Sequence, residues 1–175
     1  MSERFLWKSP DEKASNAAFF SVQSVADPLD FLPRGFLERT KKRGQVVSSW
    51  APQNRVLAHR ATGGFLTHCG WNSCLDGITN GVKLIAWPLF AEQRMNAALL
   101  TEGLKVSLRV EANENGIVDR KQIAGVVQKL IGGAEGKDIG NKMRVLKDAA
   151  AEAWSQTGSS KKALGELVHK WNIQV

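Results

Sequence analysis

The chain has 175 residues, of which 43% are apolar and 23% are charged, and its net charge is +7 at pH 7. This composition is that of an ordinary globular protein long enough to bury a sizeable core. No apolar run approaches the roughly 20 residues of a membrane helix, and the first residues lack the zones of a signal peptide. Cys69 and Cys74 have the spacing of neither a disulfide framework nor a zinc site, so we expect a cytoplasmic protein.

The positive charge does not by itself indicate a nucleic-acid partner. The basic residues are dispersed along the chain except for the run at 38–44, and no aromatic side chains are interleaved with that run. Binding to nucleic acid by a basic patch requires clustered cations, and stacking platforms add aromatic faces to them. The sequence therefore predicts no nucleic-acid partner, and the run at 38–44 is interpreted as a solvated surface.

Strand and helix patterns alternate along the chain. A strand-like segment at 4–7 precedes a polar, proline-interrupted stretch at 8–33, and residues 27–40 predict a long loop and a short helix. Further strands are predicted at 45–50, 63–68, 83–88 and 105–110, and helices at 54–60, 72–81, 91–103, 119–133, 142–158 and 160–174. Asp119 is placed to cap the helix that it begins.

This alternation predicts an α/β fold with a Rossmann-like parallel sheet covered by helices on both faces. In such sheets ligands bind beyond the carboxyl ends of the strands. Polar and aromatic side chains that directly follow a predicted strand are therefore the candidate functional residues.

The stretch FLTHCGWNSCLDG (65–77) passes from an apolar strand into a helix. A helix amino terminus presents unpaired N–H groups and partial positive charge, which favours an anion and above all a phosphate. Gly70 allows close approach of the backbone, and His68, Asn72 and Ser73 can donate hydrogen bonds. An N-cap role for Asn72 or Ser73, with His68 a satisfied strand-end residue, explains these residues equally well. Neither a GxGxxG nor a Walker-type motif is present, so the anion site is of another kind.

Two other strand ends carry groups suited to a ligand. Trp50 follows the strand at 45–50 and offers a stacking face for a base. Glu92 and Gln93 begin the next helix after WPLFA, and a carboxylate beside a carboxamide suits neighbouring sugar hydroxyls. A stacking face, a phosphate cradle and a hydroxyl clamp on successive strand ends together predict a nucleotide-sugar site.

The ungapped stretch WAPQNRVLAHRATGGFLTHCGWNSCLDGITNGVKLIAWPLFAEQ (50–93) resembles the signature box of plant secondary-product UDP-glycosyltransferases. The flanks at 27–44 and 91–106 resemble a subgroup that glucosylates small phenols. The resemblance implies the GT-B fold, with residues 1–175 as its UDP-sugar-binding C-terminal domain and the helices of 119–174 at its end. It covers only the C-terminal half of such an enzyme, so the N-terminal acceptor domain is expected to be missing.

The resemblance also implies a role for each matching residue. Trp50 would stack on uracil, the backbone of Ala51 would bond the edge of the base, and Gln53 would face the ribose. Asp76 would replace the carboxylate that chelates the ribose hydroxyls. The residues that would hold the diphosphate are His68, Gly70, Trp71, Asn72 and Ser73. Glu92 and Gln93 would bond the sugar hydroxyls, and a glutamine at this position favours UDP-glucose as donor.

Three positions depart from the pattern of the family. Asp76 stands where glutamate is usual and is one methylene shorter, so it is the change expected to weaken donor binding most. Lys83 replaces a turn-stiffening proline with a flexible charge. Cys74 replaces a common threonine and is expected to pack neutrally.

The implied reaction is an inverting transfer that needs neither a metal nor another cofactor. Its general base, a histidine oriented by an aspartate, lies in the N-terminal domain, and His68 would face the leaving group instead. No catalytic residue is therefore expected in this chain, which should be inactive alone. The implied partners are the UDP-sugar donor, a small phenolic acceptor and the N-terminal domain. A truncated, non-catalytic UDP-sugar-binding module is the alternative.

Overall fold

The computed structural model of the protein describes residues 4–8, 29, 32–48 and 50–173. The chain divides into two compact units, Met1–Pro52 and Gln53–Val175. Most of the polar, proline-interrupted stretch at 8–33 lies outside the described residues. None of the helices in the described part of the chain combines the length and the apolarity needed to cross a membrane.

The first unit is a pair of parallel strands with one short helix. Its elements are β1 (Phe5–Lys8), α1 (Phe36–Thr40) and β2 (Gly44–Val47). Phe5 lies opposite Gly44 in the ladder, and a β-carbon at Gly44 would collide with the phenyl ring. Trp7 packs edge-on against Phe36 of the helix, with ring centroids 5.8 Å apart. Glycine at position 44 therefore makes room for an aromatic cluster on this strand pair.

The second unit alternates helices with three parallel strands in the order β3-β4-β5. Its elements are α2 (Gln53–Leu57), β3 (Phe65–Thr67), α3 (Trp71–Asn80), β4 (Leu84–Ala86), α4 (Gln93–Ala98), β5 (Ser107–Arg109), α5 (Arg120–Gly132), α6 (Ala134–Ala153) and α7 (Ser159–Ile173). Helix α4 continues directly into a π-helical turn, Leu99–Gly103.

The central strand β4 organises the core of this unit because all three of its residues are buried. Side chains alternate across a strand, so Leu84 and Ala86 enter one cluster and Ile85 enters the other. The first cluster contains Cys74, Ala97, Leu100 and Met143, and the second contains Val126, Leu130 and Ile139. Helices thus cover both faces of the sheet, and the predicted α/β fold is confirmed.

Three details differ from the sequence predictions. The strands form two parallel sheets, of two and three strands, where a single sheet was predicted. The strand predicted as buried at 63–68 exposes 48% of Leu66, because β3 is an edge strand. Helix α6 begins at Ala134, eight residues before the predicted start, because Gly136 and Gly140 weaken its apolar periodicity. Glycine is needed at position 136, because a β-carbon there would collide with the carbonyl oxygen of Leu130.

Lys83 is more firmly held than a flexible charge would be. Its ammonium donates to the carbonyl of Leu130 near the end of α5, at 2.5 Å, and the side chain is half-buried. Burial lowers the pKa of this ammonium. The lysine therefore ties the start of β4 to the carboxyl end of α5. The predicted cap of α5 is confirmed, because Asp119 accepts from the backbone N–H of Gln122 at 2.8 Å.

The burial of Cys74 makes the free energy of unfolding depend on pH in the alkaline range. Desolvation raises the pKa of this thiol from 9.0 to about 11. The thiol ionises first in the unfolded chain, so its contribution to stability is complete below pH 9 and is lost as the pH rises towards 11. We expect the free energy of unfolding to fall more steeply over this range in the unmodified chain than in Cys74→Ala. Urea unfolding at both ends of the range measures this, and parallel pH profiles would contradict it.

Candidate functional site

The backbone between β3 and α3 makes a sharp, strained turn. Cys69 has a φ of 65°, in the left-handed region, where a residue with a side chain costs about 1–3 kcal/mol. Its N–H donates to Thr67 Oγ1 at 3.1 Å, and its carbonyl accepts from Asn96 Nδ2 at 2.9 Å. All three residues are buried. Buried hydrogen bonds on both sides of Cys69 therefore hold the turn in place.

Helix α3 begins directly after this turn without a side-chain cap. Gly70 occupies the N-cap position in an extended conformation, and its carbonyl accepts the first helical bond from Cys74 N–H at 3.0 Å. No side chain of the described residues caps this terminus. The N–H groups of Trp71, Asn72 and Ser73 have no intrahelical acceptor, as at any helix start. The N-cap alternative for Asn72 and Ser73 is therefore excluded.

Gly70 allows His68 to lie against the start of the helix. A β-carbon at position 70 would collide with Nε2 of the imidazole, which places that ring directly beside the Gly70 backbone. His68 is exposed to solvent. An imidazole and the positive end of a 10-residue helix thus share one edge of the second unit. This edge is suited to an anion.

Two bridges of polar side chains join α2 to α3. Gln53 Nε2 donates to Asp76 Oδ2 at 2.8 Å, so the two residues predicted to face a ribose lie in direct contact. One helical turn later, Asn80 Nδ2 donates to Asn54 Oδ1 at 2.9 Å and to the carbonyl of Asp76 at 2.8 Å. Gln53 thus holds one oxygen of the shorter carboxylate, while the other oxygen makes no bond to a described residue.

Gln93 is oriented by its own loop. The side chain is 4% exposed, and Oε1 accepts from the N–H groups of Leu89 at 2.9 Å and of Phe90 at 3.0 Å. No buried polar side-chain atom of the described residues lacks a partner, so Nε2, which has none, must reach solvent. Gln93 therefore presents a donor. Its neighbour Glu92 is exposed and presents a carboxylate.

Trp50 and Ala51 belong to the first unit. The indole of Trp50 is 71% exposed, and its backbone N–H donates to the carbonyl of Ser48 at 2.8 Å. Ala51 is half-buried. The roles predicted for these two residues stay predictions.

Two residues of this region, Asn80 and Asn96, were not predicted from the sequence. Asn80 lies one turn after Asp76 on α3, and Asn96 lies three residues after Gln93 on α4. The available signal was polarity in an apolar setting: Asn96 precedes the run AALL and is nevertheless buried. A buried amide on an otherwise apolar helix face indicates a specific hydrogen-bond partner.

The fold and this edge define a class of protein. The second unit is a parallel α/β domain in which an uncapped helix terminus, a histidine and several polar side chains follow the carboxyl ends of strands. Such an edge is typical of domains that bind phosphorylated ligands. The family model for UDP-glucoronosyl and UDP-glucosyl transferases matches residues 10–143, and the chain belongs to this family.

Relatives with names and structures agree with this membership. The chain is 58% identical to hydroquinone glucosyltransferase of Rauvolfia serpentina over its whole length, which is 38% of that protein. It is 50% identical to Phytolacca americana UGT2 complexed with UDP-2fluoro-glucose and pterostilbene, with a TM-score of 0.83 over 97% of this chain and 35% of the other. It is 48% identical to a Polygonum tinctorium UDP-glucosyltransferase capable of glucosylating indoxyl. The TM-score of that match is 0.84, and it covers 98% of this chain and 35% of the other. The chain thus spans little more than a third of these relatives, and the similarity confirms the fold predicted for the chain, that of the C-terminal part of a GT-B protein.

Gly70→Ala tests whether glycine positions the imidazole. The backbone angles at Gly70 are open to alanine, so we expect stability to fall by about 1 kcal/mol at most, the difference between these residues at an N-cap. The added methyl should displace His68 from the helix start. NMR spectra of the imidazoles should show the His68 resonances shifted and those of His59 and His169 unchanged. Unaltered His68 resonances would contradict the geometry.

Proposed function

We propose that this chain is the donor-binding part of an inverting UDP-glycosyltransferase that transfers glucose from UDP-glucose to a phenolic hydroxyl. The observation that carries the proposal is the uncapped amino terminus of α3 with His68 lying against Gly70. Family membership supports the class of reaction.

The diphosphate is proposed to bind at the start of α3. The N–H groups of the first turn, the imidazole of His68 and the side chains of Asn72 and Ser73 are all able to donate to its oxygens. Negative charge grows on the diphosphate as the bond to the sugar breaks. Donors held in place before the reaction stabilise that charge without reorganising, which lowers the barrier. The proposal assigns this task to the chain itself rather than to a metal ion or another cofactor.

The nucleoside is proposed to lie against two further groups. Asp76 keeps one oxygen free while Gln53 Nε2 holds the other, so the carboxylate can accept from a ribose hydroxyl with its orientation fixed. Gln53 Oε1 is a second acceptor beside it. The exposed indole of Trp50 offers a stacking face for uracil, and the backbone of Ala51 offers hydrogen bonds to its edge.

The sugar is proposed to bind to two side chains, one that accepts hydrogen bonds and one that donates them. The exposed carboxylate of Glu92 accepts from a hydroxyl, and Nε2 of Gln93 donates to one. A hydroxyl both donates and accepts, so neighbouring hydroxyls of one sugar satisfy both groups. The glutamine supports glucose as the sugar, by resemblance to glucose-using members of the family.

The acceptor and the general base are proposed to lie with a segment outside these 175 residues. His68 is on the leaving-group side of the proposed complex and is not the base. A phenolic acceptor is supported by the relative named hydroquinone glucosyltransferase, because hydroquinone is a phenol. Two buried, free cysteines support a reducing, cytoplasmic location.

A second candidate function is a UDP-sugar-binding module without catalysis. The shorter carboxylate of Asp76, already engaged by Gln53, favours it because ribose binding is then weaker than in a family member with glutamate. Both candidates predict binding of UDP, and only the first predicts turnover when a complementary N-terminal half is supplied.

Calorimetry with UDP-glucose tests the proposed site. We expect His68→Ala and Trp50→Ala each to weaken binding about tenfold, which corresponds to one charge-assisted hydrogen bond or one base-stacking contact. His169→Ala and Trp154→Ala are the matched controls, because both residues are exposed and neither has an assigned role. Equal affinity in the unmodified chain and in both site variants would reject the assignment.

A transfer assay separates the two candidate functions. The chain alone should not glucosylate hydroquinone, because it contributes no base in this proposal. Adding the N-terminal half of the Rauvolfia hydroquinone glucosyltransferase should restore glucoside formation. Chromatography measures the amount of glucoside formed. Transfer by the chain alone would show that the base lies within it, and binding of that half without turnover would favour the non-catalytic module.

A further inference from the structure

We infer that Asn96 is a positioning residue for the diphosphate site, because its hydrogen bond to Cys69 holds the backbone that presents the start of α3. The inference rests on the proposed function and adds to it a residue that would not touch the ligand. It depends on the geometry of one peptide group, between Cys69 and Gly70.

Asn96 reaches that peptide group from the neighbouring helix. It is 8% exposed on α4, and its Nδ2 donates to the Cys69 carbonyl at 2.9 Å across 27 residues of sequence. A peptide group is planar, and this one is trans, so its N–H points away from its carbonyl. With the carbonyl directed at Asn96, the Gly70 N–H is directed to the opposite side. No carbonyl of the described residues accepts from it, so it remains free for an anion.

The conformation of Cys69 explains why the backbone needs the hydrogen bond from Asn96. A φ of 65° is disfavoured for any residue with a β-carbon. To leave it, the chain must rotate about the N–Cα bond of Cys69, which carries the Cys69 carbonyl and the following peptide group to new positions. Rotation would turn the Gly70 N–H away and shift the first turn of α3. The bond from Asn96 opposes that rotation, since it would leave a buried amide without its acceptor. The hydrogen bond from Asn96 therefore stabilises the left-handed conformation of Cys69.

A purely structural role for Asn96 makes a different prediction, and a glycine substitution separates the two. Glycine adopts positive φ without strain, so Cys69→Gly should make the bond from Asn96 largely unnecessary. Cys69→Ala is the matched control, because it also removes the thiol but keeps the β-carbon. Asn96→Ala is placed in the unmodified chain and in each of these two backgrounds.

The six chains are titrated with UDP and with uridine, which has no phosphate. We expect Asn96→Ala to weaken UDP binding about tenfold in the unmodified and Cys69→Ala chains and less than about threefold in the Cys69→Gly chain. Uridine affinity should not change in any of them. Circular dichroism verifies folding, and if Asn96→Ala is unfolded, Asn96→Asp, which keeps the shape but loses the donor, takes its place in every background.

Three results would overturn the inference while leaving the proposed function intact. The first is an equal loss of UDP affinity in all three backgrounds. The second is a parallel loss of UDP and uridine affinity, as a general loosening of the fold would give, and the third is unchanged UDP affinity in every variant. Failure of the unmodified chain to bind UDP would instead reject the proposed function on which the inference rests.

Discussion

The turn at Cys69 and Gly70 is the constraint on which the site depends. At the carboxyl end of β3, only three residues separate Thr67 from the first residue of the following helix, Trp71. One residue of this short connection, Cys69, lies in the left-handed region. The energy of that conformation is offset by two buried hydrogen bonds, from Cys69 to Thr67 and from Asn96 to Cys69. Strain of this kind is typical of functional sites, where surrounding structure over-determines the backbone.

The sheet supplies the rigidity that this turn needs. Because β4 is buried on both faces, its side chains are occupied with packing and leave no room for chemistry. The residues just beyond the strand ends, whose positions are fixed by the strands behind them, are therefore the ones available to bind a ligand. Lys83 contributes at the other end of β4, where its bond to Leu130 joins the sheet to α5. A long-range bond here replaces the local stiffness that a proline would give.

The type and order of the elements follow from local patterns and could be predicted. Apolar periodicity and the Asp119 cap of α5 each act within a few residues, and the structure agrees with them. The family also follows from the sequence, since residues 50–93 carry its signature without a gap. The start of α6 could not be placed, because two glycines interrupt the pattern that marks a helix.

The side-chain hydrogen bonds that hold the site in place could not be predicted, since they join residues far apart in sequence. Nothing local marks Cys69 as left-handed, because cysteine has no preference for that region. The partner of Asn96 lies 27 residues away, and the contact between Gln53 and Asp76 spans 23. Residue type identified which side chains can bind a ligand. Only the folded backbone decides which of them are already engaged with one another.

The fixed amide of Gln93 has a consequence for selectivity. With its oxygen committed to Leu89 and Phe90, the side chain cannot rotate by half a turn to exchange donor for acceptor. A partner at this point must therefore offer a lone pair, as a hydroxyl or an ether oxygen does. A protonated amine at the same position would meet an N–H group and be repelled. In the proposed complex, discrimination between hydroxyl and ammonium sugars would therefore come from the loop that fixes the orientation of Gln93.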